Sequence, residues 1–106
     1  MINSQVTVSS QTTSDWIPVD HTQSPFNLGV AIVGSGTYTW QVEITAHNVM
    51  DSTVTPVAIT APAPLDTGSS TVPEMGSITV PCRAVRLNLT THSSGSCTMI
   101  VLQGRN

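Results

Sequence analysis

Tyr38-Thr39-Trp40-Gln41-Val42-Glu43-Ile44-Thr45-Ala46-His47 alternates without a break. Tyr38, Trp40, Val42, Ile44 and Ala46 fall on one side of an extended chain. Thr39, Gln41, Glu43, Thr45 and His47 fall on the other. Successive side chains of a strand point to opposite faces, so this pattern predicts a strand with one side on a core and one side wet. No window of the chain carries the i, i+3, i+4, i+7 apolar spacing with capping signals that a helix needs. The stretch therefore sets the class as all-β.

Working upstream, Leu28, Val30 and Ile32 share one face, with Gly29, Ala31 and Val33 on the other. Gly34-Ser35-Gly36 then predicts a hairpin loop into the strand that starts at Tyr38. Val6 and Val8 alternate with Thr7 and Ser9 in a first strand. Trp16, Ile17 and Val19 mark a second, which Pro18 confines to an edge. Ser24-Pro25 is a turn. Working downstream, residues 48–52 connect to a weaker strand over 54–60, broken at Pro56. Residues 77–80 form a short strand. Residues 83–91 turn Val85, Leu87 and Leu89 inward and Arg86, Asn88 and Thr90 outward. His92-Ser93-Ser94-Gly95 reads as a turn, and residues 97–103 close the chain. Met99-Ile100-Val101-Leu102 is apolar on both sides, which predicts a central strand covered on both faces. Seven or eight short strands in one domain, residues 1–106, predict an antiparallel β-sandwich or jelly roll.

Only 8% of the residues are charged, none is lysine, and the cations are Arg83, Arg86 and Arg105. Soluble domains ordinarily carry about 25%. With a formal net charge of −3, the chain lacks the basic patch that nucleic acid or an anionic membrane surface requires. No apolar run approaches the roughly 20 residues of a membrane span. Met1-Ile2-Asn3-Ser4-Gln5 has no basic region followed by an apolar one, so synthesis in a cytoplasm is expected.

Candidate chemistry is sparse. If residues 83–91 and 96–103 pair as a hairpin, facing residue numbers sum to about 187, which puts Cys97 opposite Thr90 and Cys82 opposite Arg105, some 26 Å apart along the strand. A disulfide needs Cα atoms within about 7 Å, so two small buried thiols are expected. His21, His47 and His92 are isolated and lack zinc-like spacing, and no metal or cofactor is expected. Serine is abundant, but no nucleophile elbow supports a triad, so the chain reads as a non-enzyme. The Asn88-Leu89-Thr90 sequon lies inside a predicted strand and is read as chance. The aromatics are Trp16, Phe26, Tyr38 and Trp40. They read as core, with an exposed stacking pair as the alternative, which would make the chain a carbohydrate-binding module. Residues 61–76 read as an exposed excursion rich in Pro, Gly and Ser. Leu65, Val72 and Met75 sit there as candidate partner contacts, with prolines limiting the entropy lost on docking.

Five segments carry a resemblance: Ser14-Asp15-Trp16-Ile17-Pro18-Val19-Asp20, Ser24-Pro25-Phe26-Asn27-Leu28-Gly29-Val30, Tyr38-Thr39-Trp40-Gln41-Val42-Glu43, Val80-Pro81-Cys82-Arg83-Ala84-Val85-Arg86-Leu87-Asn88-Leu89 and Met99-Ile100-Val101-Leu102-Gln103. Together they resemble short proteins of tailed bacteriophages, in particular the small β-sandwich decoration or cement proteins of the phage head. The resemblance implies a virion structural protein that binds the major capsid protein on the outer surface of the head, as a homodimer or homotrimer, and stabilises the expanded shell. It carries no residue-level site. A tail, baseplate or head-fibre module is the alternative that the same residues leave open.

Overall fold

The two best-marked stretches of the sequence belong to two very long strands. The computed structural model describes residues 2–22, 24–70 and 73–104. Within them run β1 (Ile2–Val8), β2 (Ile17–Pro18), β3 (Leu28–Thr45), β4 (Ile59–Thr60), β5 (Gly68–Ser69), β6 (Glu74–Ile78) and β7 (Ala84–Gln103). All pairings are antiparallel and form one seven-stranded sheet. No helix occurs among the described residues.

The layout is four tracks. β3 and β7 lie side by side, paired from Gly29↔Leu102 to Thr45↔Ala84. β1 and β2 follow the free side of β7, with a bridge at Thr13↔Asn88 between them. β6, β5 and β4 follow the free side of β3.

Two predicted turns are absent. Gly34-Ser35-Gly36 lies inside β3, and His92-Ser93-Ser94-Gly95 lies inside β7. They are opposite each other, with Gly36 facing Gly95. Both glycines have positive φ, 117° and 81°. A Cβ on Gly95 would sit 1.9 Å from the Ser35 carbonyl oxygen, and one on Gly36 would sit 2.2 Å from that of Ser94. The register also slips here twice, between Thr37 and Tyr38 and between Thr39 and Trp40. Each slip leaves β7 with an extra residue, and such bulges sharpen bend and twist. The glycines and serines therefore punctuate one shared bend, not two hairpins.

The bend is required by size. Eighteen residues of straight strand would span about 56 Å, whereas the longest dimension of the molecule is 37 Å. Both long strands must turn within their own length. Even-numbered side chains of β3 are buried on both sides of the bend, Leu28, Val30 and Ile32 before it and Tyr38, Trp40, Val42 and Ile44 after it. The two bulges in β7 cancel in parity, so odd-numbered Val85, Leu87 and Leu89 share the inner side with Cys97, Met99 and Val101. All belong to a single core cluster. Fully burying each such aliphatic side chain stabilises the fold by about 1.5–3 kcal/mol. The ion pair of Arg86 with Glu43 is partly exposed and adds about 0–1 kcal/mol. Apolar burial dominates.

The actual register also revises the cysteine geometry. Cys97 pairs with Gly34 on one side and Val8 on the other, not with Thr90. Cys82 precedes β7, and both are free and buried. In place of the expected strand over 54–60, only Ile59–Thr60 pairs. Short-strand architecture is likewise corrected, since β3 and β7 have 18 and 20 residues.

Side-chain amides replace backbone pairing at one corner. Buried Gln103 accepts from the Asp20 N–H at 2.7 Å through Oε1 and donates to the Asp20 carbonyl at 3.0 Å through Nε2. It ties the chain after β2 to the end of β7.

Gly95→Ala must push backbone atoms apart and is expected to cost about 2 kcal/mol or more. Gly104→Ala meets no atom within 4 Å and should stay within about 0.5 kcal/mol of the parent. Urea denaturation of both variants checks the contrast.

Candidate interaction face

The outward side chains of β1, β7, β3 and β6 line up in rows on the part of the sheet nearest β1. Gln5, Ile100, Ala31 and Met75 form one row by register. Asn3, Leu102, Gly29 and Ser77 form the next. Thr7, Thr98 and Val33 form a third, with the two threonine hydroxyls hydrogen-bonded at 2.9 Å. The centre of these rows is apolar: Ala31 and Ile100 are half-buried, and Val33, Leu102 and Met75 are 40%, 41% and 66% exposed. No charged side chain stands in any row.

This arrangement explains the doubly apolar Met99-Ile100-Val101-Leu102 run. Its strand is central, between β1 and β3, as the pattern predicts. Only its inner side is covered: Met99 and Val101 are fully buried, while Leu102 reaches solvent.

Beyond the bend the same outer surface is polar. Arg86 Nε donates to Glu43 Oε1 at 2.7 Å, and Asn88 Nδ2 donates to Glu43 Oε2 at 3.4 Å. The guanidinium lies 4.4 Å from the centre of the Trp16 ring, a favourable cation–π stack. Gln41 Nε2 donates to Thr60 Oγ1. These groups satisfy one another, which leaves a wet, closed network at one end and a bare apolar face at the other.

Of the predicted contact residues, Met75 is exposed as expected. Leu65 is corrected: it is 0% exposed, inside the core cluster. Its carbonyl accepts from Val42 N–H at 3.0 Å, which folds the proline-rich segment down onto β3. Val72 lies outside the described residues. The described part of the segment, residues 61–70 and 73–76, is thus no free arm, since β5 and the start of β6 pair with β3 there. Ile100 and Leu102 were not expected as contacts because their run is apolar on both sides and reads as covered on both faces, and Ala31 and Val33 were placed only on the second face of their strand. The usable signal was the absence of charge on that second face.

Trp40 is 1% exposed, packed beneath Gly68, where a Cβ would come 2.2 Å from its ring. Trp16 is occupied by Arg86. The tryptophans therefore offer no paired exposed platform. His47 Nδ1 accepts from the Val57 N–H at 3.1 Å, and the His92 ring contacts the Gly95 carbonyl at 2.8 Å. Among the described residues no three His, Cys, Asp or Glu side chains gather as a metal site, and no helix is long and apolar enough to cross a membrane.

No protein-family model matches the chain, and no curated protein matches it. A solved structure of Bacillus endospore appendages, described as a novel family of disulfide-linked pili, is similar at 12% identity with a TM-score of 0.46, covering 96% of this chain and 87% of that one.

Burial pushes the Cys82 thiol up from 9.0 to about 11 and raises that of Cys97 as well. The folded state then holds these protons more tightly than the unfolded one. The Cys82 contribution to stability is complete below pH 9.0 and is lost as pH rises toward about 11, and Cys97 acts in the same direction. The melting temperature should fall over that interval, less steeply in Cys82→Ala. Native protein at pH 8 should leave a thiol reagent unconsumed until denaturant is added.

Proposed function

We propose that the chain is a bacteriophage virion structural protein, a capsid decoration protein that seats on the outer surface of the head and stabilises the expanded shell. The observation that carries this reading is the uncharged apolar face of Ala31, Val33, Met75, Ile100 and Leu102, left bare by the chain itself. A contiguous exposed apolar patch rimmed by polar residues marks a protein contact surface. Its rim here is Asn3, Gln5, Thr7, Thr98 and Ser77, all neutral. The fitting occupant is a flat, uncharged area of a folded protein, and the major capsid protein is that partner in this reading.

The curled sheet is in this reading a β-sandwich of the jelly-roll kind, with the two ends of β3 and β7 facing each other across the shared core. The single core cluster drawn from both ends supports it. Attachment by a neutral face needs no active site and no counterion release. Many weak contacts of this kind add through avidity on a repetitive shell.

Co-sedimentation with undecorated expanded heads tests the proposal. Saturable binding is expected, with retention in 1 M salt because screening acts on charges that this face lacks. Met75→Asp combined with Leu102→Asp should weaken binding at least tenfold at unchanged melting temperature. Binding to purified tails and not to heads assigns the chain instead to the tail, baseplate or head-fibre class.

A further inference from the structure

The sheet has two rims, and they are built on opposite rules. An exposed strand edge presents unpaired N–H and C=O groups, and proteins blunt it with charge, proline, bulges or very short strands. The rim beside β3 uses these devices. It is cut into strands of two, two and five residues. Pro62, Pro64, Asp66 and Pro73 interrupt it, and β6 opens on Glu74. The rim formed by β1 uses none of them. Ile2-Asn3-Ser4-Gln5-Val6-Thr7-Val8 has no charge, proline or glycine. It pairs with β7 at seven successive positions without a slip. Among the described residues no strand pairs with its other side.

We infer that β1 pairs antiparallel with β1 of a second copy, joining two sheets across a two-fold axis. The occupant of a bare strand edge must be extended backbone. An isologous contact requires a strand that complements itself. β1 meets that condition because it brings no charge against its own image.

The register follows from parity. Directly opposed residues of paired strands share a face of the sheet, so the two residue numbers must be both odd or both even. Among such alignments, only the one centred on Gln5 overlaps all seven residues. Gln5 then faces Gln5 of the second copy, and Asn3 faces Thr7. The two apolar outer faces come to lie on the same side, as one plate of twice the width. A seven-residue strand pair is smaller than a standard interface of about 800 Å² per partner. The association is therefore modest in free solution and strengthened wherever copies are held side by side.

Single-cysteine cross-linking of the full chain reads the register. Gln5→Cys should form a covalent dimer on mild oxidation, since opposed Cβ atoms lie about 5 Å apart. Asn3→Cys should not, because its counterpart is four residues away along the strand, about 13 Å. The native thiols are buried and do not compete. In sedimentation equilibrium at up to millimolar concentration, the native chain should dimerise. Gln5→Lys and Gln5→Glu should each weaken this at least tenfold, and their equimolar mixture should restore it. Gln5 is exposed, so an unchanged circular dichroism spectrum is expected for every variant. A monomeric native chain, an inert Gln5→Cys, or equal cross-linking by Asn3→Cys overturns the inference. No phage head enters these measurements, so they can fail while attachment through the apolar face stands.

Discussion

The ladder between β3 and β7 is the constraint on which the rest of the molecule depends. It runs from Gly29↔Leu102 to Thr45↔Ala84, and every other strand pairs with one of its two members. Two strands alone make a marginal ribbon in water. This pair becomes a domain because it bends at Gly36 and Gly95 and brings the inner sides of both ends onto one core. The close approach of the two backbones at the bend leaves no room for a side chain on either glycine. The flanking tracks then add short stretches of backbone pairing and cover the core from the sides.

Charge is distributed as unevenly as structure. Glu43 and Arg86 are spent on each other, with Asn88 and Trp16 completing the group. Asp20 and Asp51 close tight turns by accepting from Thr22 and Thr53. Those hydroxyl hydrogen bonds, with the adjacent backbone N–H groups, hold both carboxyls below their usual range. None of these charges reaches the outer rows of β1, β7, β3 and β6 before the bend. A low charge content is thus not a uniform property of the surface. It is concentrated as a neutral face at one end.

The sequence was most readable where one strand had one wet face. Residues 38–44 and 85–89 alternate as expected, and their buried members are the expected ones. It was least readable where local signals have two physical meanings. Gly-Ser-Gly permits a hairpin and equally permits close approach of two backbones. Only a partner more than fifty residues away selects between them, and that partner is not in the window. Leu65 shows the same limit. Its proline-rich setting predicts an irregular path, which it has, but irregular backbone can still be anchored by one large aliphatic side chain. The candidate face was hidden for the converse reason. A strand apolar on both sides looks fully covered, and composition alone does not say whether the cover comes from the same chain.

The position of β7 has a consequence for the order in which the molecule can come into being. It follows the six other described strands in the sequence, and it lies between β1 and β3. Its contacts with β1 span about ninety to a hundred residues of chain. Until residues 84–103 are available, β1 has no neighbour and β3 has only the short strands of its outer rim. A chain extended only as far as β6 therefore has β1 without its pairing partner and β3 without its longest one. Topologies dominated by such distant pairings fold slowly.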